Sequence, residues 1–237
     1  MIREILDTPF IDLDIDVDSS RLIYEYEKVE NKYSFASYQT KFWPVRRKYA
    51  RSWSGICLIS SDGGLYSDMY EGSQSKTNKT ELADLCPYMY DLIHSIGGSN
   101  FNHRARLLRI APGESLVWHN HTFEHGQPET MLTVQIPIVV PEGFEYNVVF
   151  NEDFRWYKRF SKGSSFKNRA VKKPKPGDAF IFNSFHYHNV FNPSDKYRAT
   201  LMFYISYNNP HVRQLVDRSL YKQREKQKLR EINVPDR

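Results

Sequence analysis

The chain has 237 residues, of which 40% are hydrophobic and 15% aromatic, so it can bury a core of substantial size. Its formal net charge of +5 is small for a dedicated nucleic-acid binder. We expect neither a signal peptide nor a membrane span, because the N-terminal residues are acidic and no apolar run approaches the roughly 20 residues that a span requires. Cys57 and Cys86 stand in neither a CxxC nor a zinc-type spacing, so a disulfide framework is not expected and a reducing cytoplasm is the predicted location.

The N-terminal half predicts two helices and one strand. Asp18 is a suitable N-cap for an amphipathic helix that continues through residues 21–33. Residues 53–60 (WSGICLIS) predict a strand, because they are apolar and end in a turn rich in glycine. Residues 87–98 have helical spacing of apolar side chains, and a glycine pair closes that helix.

From about residue 103 onward the pattern changes to short strands separated by turn residues. Each segment is rich in β-branched and aromatic side chains, which is typical of an all-β sandwich or barrel. The predicted segments are 103–113, 114–123, 130–140, 145–150, 178–185, 186–191 and 198–207.

Two further segments lie outside this strand pattern. The stretch from Glu152 to Pro176 is rich in lysine and arginine; a solvated hairpin or mobile loop is the favoured interpretation, and a lid or substrate-docking arm is the alternative. The C-terminal stretch predicts a charged helix with Leu215, Leu220 and Leu229 among its apolar positions. This helix either packs on the barrel or mediates formation of a homodimer.

The residues most informative about function are two histidine-bearing segments. The first is Pro112-Gly113-x5-His119-Asn120-His121, and the second is Gly177-Asp178-x9-His188-x9-Arg198. Residues at i and i+2 of a strand point to the same face, so His119 and His121 are suited to chelate one metal ion. Barrel closure can bring His188 to the same point, and three imidazoles suit first-row divalent metals. The planar guanidinium of Arg198 can bind a carboxylate through two hydrogen bonds.

Other residues near these segments are weaker candidates. His186 alternates with His188, and we prefer His188 because of its interval to Arg198. His125, Glu124 and Glu129 are expected to be loop residues, although either glutamate could supply a carboxylate ligand. No metal role is expected for two further histidines, His94 and His103.

Three segments of the sequence resemble a known family. They are RLLRIAPGESLVWHNH, TVQIPIVV and PGDAFIFNSFHYHNVFNPSDKYRATLMFYI. Their Gly-x5-His and Gly-x10-His-x9-Arg intervals are similar to those of the aspartyl/asparaginyl β-hydroxylases, and the resemblance covers roughly residues 50–207. It implies a dioxygenase that depends on Fe(II) and 2-oxoglutarate and is built on a double-stranded β-helix.

The resemblance also implies roles for individual residues. His119 and His188 would be the proximal and distal iron ligands, and Arg198 would bind the C5 carboxylate of 2-oxoglutarate. His121 stands where bacterial members carry an aspartate ligand, so a three-histidine iron site is implied here. No catalytic residue is predicted beyond these metal and co-substrate ligands.

A second departure from the family pattern lies in the strand before Ile136-Pro137. Thr133 and Gln135 stand where the family commonly carries an arginine and a histidine that face the co-substrate. Gln135 can still donate a hydrogen bond, so we assign it to the co-substrate pocket together with Arg198.

The expected architecture is therefore a mainly β, double-stranded β-helix (jelly-roll or cupin-like) fold with helices on the N-terminal side and at the C-terminus. Residues 1–210 are predicted to form one oxygenase domain, with its core at about 100–207 and a supporting part at 1–99; residues 211–237 form the charged helix. The expected substrate is a small molecule or peptide with an amino-acid side chain, oxidised with O2. The sequence leaves open whether the product is hydroxylated, halogenated or desaturated.

Two rival functions remain open from the sequence. A cupin-type metalloenzyme without 2-oxoglutarate also fits the histidines, with Asn192 at a His-x3-Asn spacing from His188. A non-catalytic binding module on the same fold fits the departures at positions 121, 133 and 135. Arg198 is the discriminating residue, because a cupin gives no reason for a carboxylate-binding arginine ten residues after the distal histidine.

Overall fold

The computed structural model describes residues 2–37, 53–67, 77–98, 101–121, 130–158 and 166–232, with side chains described up to residue 229. The helices are α1 (Ile2–Leu6), α2 (Ser19–Lys32), α3 (Glu81–Leu85), α4 (Pro87–Gly97) and α5 (Pro210–Ile232), with 3₁₀ turns at Asn151–Asp153 and Trp156–Lys158. The strands are β1 (Phe10–Asp12), β2 (Ala36–Ser37), β3 (Trp53–Ser60), β4 (Asn78–Lys79), β5 (Ala105–Ile110), β6 (Met131–Val139), β7 (Glu145–Val149), β8 (Ala170–Lys172), β9 (Phe180–Phe182), β10 (Tyr187–Phe191) and β11 (Arg198–Ser206).

The strands form two antiparallel sheets. The large sheet has the order β1-β9-β6-β11-β5-β3-β2, with β4 also paired to β3, and the small sheet has the order β10-β7-β8. From β5 onward the chain passes repeatedly from one sheet to the other, and β11 returns between β5 and β6. This winding is the double-stranded β-helix, or jelly roll, and it confirms the predicted fold class.

The two faces of the large sheet differ in polarity because side chains alternate along each strand. On β11, Leu201 and Phe203 belong to the main apolar core, which the helices cover. The even-numbered residues of β11, which include Arg198 and Thr200, face the small sheet. Many of the buried polar side chains of the strands lie on this inner face. The space between the sheets is therefore lined by polar and aromatic groups.

The N-terminal helices pack against the large sheet and against one another. Asp18 caps α2 by accepting a hydrogen bond from the Arg21 amide at 3.0 Å. The buried Glu25 accepts bonds from the backbone amides of Tyr88 and Met89, at 2.8 and 2.9 Å. A carboxylate at this position satisfies the first amides of α4 and is favoured by the helix dipole.

The segment predicted as a strand over 114–123 is not a regular strand in its described part. Two isolated bridges, Ser115 to Phe191 and His119 to His188, hold it beside β10. The side-chain amide of Asn189 donates to the Leu116 carbonyl. In a regular strand this carbonyl would instead accept a backbone amide. The segment still completes the edge of the small sheet, and this edge carries the histidines.

The predicted insert of 152–176 contains β8, which pairs with β7 as a hairpin. Its described basic side chains include two that contact the barrel: Lys172 forms an ion pair with Asp12, and Arg169 donates to the Asn147 side chain at 2.9 Å. Residues 170–172 of the insert are therefore a strand of the small sheet, and a role of the insert as a lid stays a hypothesis.

The C-terminal segment is the predicted helix, α5. Leu215 and Leu220 are buried in the main core, whereas Leu229 is 58% exposed, so only the first part of this helix packs on the barrel. A role of α5 in dimer formation stays a prediction. Among the described helices, none combines the length and the apolar character that crossing a membrane requires.

Candidate metal centre

Three buried histidines converge at the edge of the small sheet. The ring centroids of His119 and His188 lie 4.2 Å apart, those of His121 and His188 5.0 Å, and those of His119 and His121 5.5 Å. Each ring offers a nitrogen, and these atoms all lie within 4.8 Å of one another. The structure therefore brings together the three histidines that the sequence singled out.

Backbone and side-chain hydrogen bonds fix the orientation of two of these rings. His119 and His188 exchange backbone bonds, with N–O distances of 3.2 and 2.9 Å. Nδ1 of His119 lies 2.8 Å from the Val117 carbonyl, and Nδ1 of His188 lies 3.0 Å from the His186 carbonyl. A carbonyl partner selects the tautomer with the proton on Nδ1, which leaves Nε2 to act as a metal ligand.

His121 is held by a different set of contacts. Its backbone amide donates to the Ser184 carbonyl at 2.9 Å, and the Ser184 hydroxyl is hydrogen-bonded to Thr133 at 2.9 Å. Thr133 is thus a structural partner of the turn before β10. The bond that the His121 amide donates to the Ser184 carbonyl holds His121 beside the other two histidines, although residues 119–121 are not part of a regular strand.

The donor set fits a first-row divalent metal ion. Two nitrogens that bind one ion at about 2.0–2.1 Å are at most about 4.2 Å apart, so small ring rotations suffice to close this group. Three ligands on one side of an ion leave open positions for further ligands, as in non-haem iron oxygenases. The neutral imidazoles leave the full positive charge of the ion in place.

The structure separates the other described histidines from this group. Nε2 of His186 lies 2.9 Å from the Leu6 carbonyl, and its Nδ1 accepts the Asn151 amide at 3.3 Å. Within the described part of the chain, His119, His121 and His188 form the one group of such side chains suited to a metal ion, and neither His94 nor His103 belongs to it. The other ligand candidates, Glu124, His125 and Glu129, lie outside the described residues.

Arg198 is buried between the two sheets, with 2% of its surface exposed. Its Nη2 donates to the Tyr146 hydroxyl and lies 3.5 Å from Oε1 of Gln135. The same Gln135 oxygen accepts the hydroxyls of Tyr146 and Thr200, both at 3.2 Å. Gln135 therefore contacts Arg198 in the predicted pocket, with its oxygen engaged by protein donors and its NH₂ group as its remaining donor.

The charge of Arg198 has no acidic partner in the described residues. None of the described carboxylates forms an ion pair with it, and among these residues its Nε has no hydrogen-bond partner. Burial lowers the pKa of the guanidinium to about 9, so the group still carries its charge at neutral pH. A buried cation in this state is suited to bind an anionic ligand.

Aromatic side chains connect Arg198 to the histidines. The Arg198 Cζ lies 4.9 Å from the centroid of the Tyr146 ring, which is 5.2 Å from the Phe182 ring. Phe182 in turn lies 4.8 Å from the His188 ring. The buried cation and the three-histidine group thus belong to one site between the sheets.

Sequence reasoning did not identify Tyr146 or Ser184 as part of this site. Tyr146 lies in a segment that was recognised only as a strand, and its contact with Arg198 depends on how the two sheets face each other. Asn192, the residue that favoured a cupin, donates to the carbonyls of Ile110, Ala111 and Lys196. It therefore stabilises the turn after β10, away from the histidines.

Replacement of His121, which stands where related sites carry a carboxylate, tests the three-histidine group. We expect His121→Ala to weaken metal binding and His121→Asp to preserve it, because a carboxylate at this position also binds divalent metals. Metal affinity of the two variants is measured by anaerobic Fe(II) titration. Unchanged affinity in His121→Ala would show that His121 does not bind the metal.

Comparison with known proteins gives matches among solved structures only. Neither a scan against protein-family models nor a search of curated proteins finds a match. HygX from Streptomyces hygroscopicus, solved with nickel and 2-oxoglutarate, aligns with a TM-score of 0.51 at 11% identity, over 85% of this chain and 84% of that one. The similarity to HygX extends over most of the chain, and at this identity it shows that the two proteins share a fold.

Two other solved structures align less closely. A 2OG-Fe(II) oxygenase family oxidoreductase from Burkholderia pseudomallei has a TM-score of 0.43 at 12% identity, over 65% of this chain and 66% of that one. The chain thus spans slightly less than two thirds of that protein. A Pseudomonas putida prolyl-4-hydroxylase has a TM-score of 0.46 at 11% identity, over 87% of this chain and 98% of that one.

Proposed function

We propose that this protein is an Fe(II)- and 2-oxoglutarate-dependent dioxygenase that hydroxylates an amino-acid-type substrate, as the resemblance to aspartyl/asparaginyl β-hydroxylases implies. The observation that carries the proposal is the buried guanidinium of Arg198 on the same inner surface as the three histidines. A metal site alone is common to many β-barrels. A buried arginine without a described carboxylate partner adds a specific requirement for an anionic co-substrate.

In this proposal the iron ligands are His119, His188 and His121. The carbonyls of Val117 and His186 keep the first two rings in the tautomer that presents Nε2. When bound, Fe(II) and 2-oxoglutarate supply O2 activation, which couples decarboxylation of the co-substrate to oxidation of a substrate C–H bond. Rigid strands hold the Arg198 side of the site, as a precisely positioned centre needs.

Arg198 binds the distal carboxylate of 2-oxoglutarate in this arrangement. The Tyr146 hydroxyl is close enough to the guanidinium to help position that carboxylate, and the amide group of Gln135 lies beside it. The surrounding Phe144, Tyr146, Phe180 and Phe182 exclude water, which strengthens the attraction between the two charges. These residues therefore provide both the charge and the dry environment that co-substrate binding requires.

The two rival functions receive less support. A cupin-type enzyme without 2-oxoglutarate leaves the buried charge of Arg198 unexplained, and the Asn192 that favoured it stabilises a turn. A non-catalytic module would have no need for three convergent imidazoles with two of them held in one tautomer.

The proposal is tested by adding Fe(II) and then 2-oxoglutarate to the purified apo-protein under argon. We expect one iron per chain and a visible charge-transfer band that forms only when both are present. Tight iron binding without a band, and without measurable 2-oxoglutarate affinity, would favour a cupin-like enzyme. Absence of metal binding would favour a binding module and contradict the proposal.

A further inference from the structure

A row of four aromatic rings lies on the outer face of the small sheet, behind the candidate metal centre. Tyr187 stacks on Phe154, with ring centroids 3.5 Å apart and ring planes 4° apart. Phe154 stacks in turn on Phe166 at 5.4 Å, and Phe166 meets Trp118 at 4.9 Å with an angle of 67° between the planes. Together with the buried Val149, these rings form one packed cluster that is separate from the main core.

The aromatic row lies on the opposite side of the small sheet from the histidines. On β7, Val148 packs in the inner cluster with Tyr146, whereas the next residue, Val149, packs with the row. Tyr187 and His188 are consecutive on β10, so their side chains likewise point to opposite faces. The row therefore contacts the back of the strand whose front carries a candidate metal ligand.

Each end of the row is a residue that immediately precedes a candidate ligand. Tyr187 precedes His188, and the fully buried Trp118 precedes His119. The segment that carries His119 is paired with β10 through isolated bridges and not through a regular ladder. Its position therefore depends on side-chain packing as well as on backbone bonds, and the row provides packing at the residue next to the ligand.

The two middle rings, Phe154 and Phe166, belong to the basic insert between β7 and β8. Asn151 fixes the chain just before Phe154. Its backbone amide donates to Nδ1 of His186 at 3.3 Å, and its side-chain amide donates to the Phe185 carbonyl at 3.3 Å. The chain that leads to Phe154 is thus attached to the turn before β10.

Basic side chains of the insert hold the second of these rings. Arg169 donates to the Phe166 carbonyl at 3.1 Å and to the side chain of Asn147, on β7, at 2.9 Å. The Lys158 ammonium lies 5.2 Å from the centroid of the Phe166 ring, within the range of a cation–π interaction. Both rings that the insert contributes are therefore held in place, as the packing that supports a precise site requires.

We propose that Phe154 and Phe166 are positioning residues of the metal centre. Through Tyr187 and Trp118, they hold the backbone of the two histidine ligands that follow these residues in the sequence. The inference rests on the proposed function, because it concerns the same centre. It assigns the insert a supporting role on the outer side of that centre.

The test titrates full-length apo-protein under argon with Co(II) alone, whose visible absorption bands report the geometry of its ligands. We expect Phe154→Ala to bind one Co(II) per chain with an affinity lowered about 10-fold, in the range that removal of outer-shell support costs, and with altered bands. Phe154→Tyr keeps a ring in the row and should stay within about twofold of the wild type. Phe154→Leu, a milder change that also removes the ring, replaces the alanine variant if that variant does not fold.

Phe101→Ala is the matched control. Phe101 is also half-buried and held by ring contacts, with His94 and Phe203, but it packs against the main core. This variant should lower the melting temperature and leave the affinity and bands of Co(II) unchanged. Affinity and bands in Phe154→Ala and Phe154→Leu equal to those of Phe101→Ala would overturn the inference. Wild-type protein that binds no Co(II) would overturn both the inference and the proposed function, whereas failure of 2-oxoglutarate to bind would contradict the proposed function alone.

Discussion

Replacing either His119 or His188 with alanine is expected to abolish stoichiometric metal binding. Both rings are buried, and their centroids lie 4.2 Å apart. Each ring also has its Nδ1 beside a backbone carbonyl. No neighbouring side chain can therefore take over as the metal ligand without a rearrangement of the segment. The loss in affinity should exceed the roughly 10- to 100-fold cost of removing an outer-shell partner of a metal ligand. Iron content after anaerobic loading and desalting, with Fe(II) titration of each variant, measures the effect.

His186→Ala is the matched control for this experiment. His186 lies two residues before His188, but its ring nitrogens contact the Leu6 carbonyl and the Asn151 amide. This variant should keep one iron per chain even if its stability falls, whereas the other two should not. Stoichiometric iron in both His119→Ala and His188→Ala would eliminate the assigned site, and circular dichroism of the apo-proteins distinguishes lost ligands from lost structure.

The fold was accessible from the sequence because its strands follow rules that local pattern reveals. Residues 53–60 and the segments from 131 onward alternate or cluster β-branched and aromatic side chains between turn residues, and they form strands as expected. The helix after Asp18 and the helix that Gly98 ends, at φ 83°, were predictable from capping chemistry. These features depend on neighbours in sequence.

Features that depend on cross-strand contacts were not predictable in the same way. Residues 114–121 have the composition of a strand, but isolated bridges alone pair them with β10, and the Asn189 side chain and the Ser184 carbonyl engage two of their other backbone groups. β8 lies within a basic stretch whose composition suggested only a hairpin or loop. Its pairing with β7 shows that the lysines and arginines of this stretch are compatible with a short strand.

The residues of the candidate site also fall into two groups, those that local sequence reveals and those that depend on cross-strand contacts. Motif spacing identified the three histidines and Arg198, and the structure places each of them between or beside the two sheets. Tyr146 was missed because its relation to the site comes from strand register, which no single segment reveals.

Replacing Arg198 with methionine is expected to weaken 2-oxoglutarate binding while sparing the metal. The loss of a buried charged hydrogen bond corresponds to about 1.5–3 kcal/mol, or roughly 10- to 150-fold in affinity. Iron affinity should stay within about threefold of the wild type, because Arg198 contacts Tyr146, Gln135 and Phe144 and no histidine among the contacts described. The charge-transfer titration measures the affinities for 2-oxoglutarate and for iron. Arg109→Met is the control, because it removes an arginine from the outer face of the sheet.

The same variant separates a binding role from a structural one. Replacing a buried arginine that is paired with an acid destabilises a protein, because the acid is left unpaired. Arg198 has no such partner among the described residues, so its replacement by an apolar group of similar volume removes a buried charge without leaving another one unpaired. We therefore expect the melting temperature of apo Arg198→Met to equal or exceed that of the wild type, and a marked decrease would argue for a structural role.

The pH dependence of co-substrate binding provides an independent measure of the same group. Burial lowers the pKa of Arg198 to about 9, so in the free protein the guanidinium loses its charge as the pH rises through that value, well below the ordinary range of an arginine. Only the charged form attracts a carboxylate, so 2-oxoglutarate affinity should be constant below pH 8 and fall by up to about tenfold per unit above pH 9. Above pH 9 the unfolded chain holds this proton more tightly than the folded one, so the contribution of Arg198 to the free energy of unfolding rises with pH, opposite in direction to the loss of binding. Calorimetry between pH 7 and 10 checks the profile. An affinity that does not change across that range in the wild type, or one that falls equally in Arg198→Met, would show that Arg198 does not hold the co-substrate.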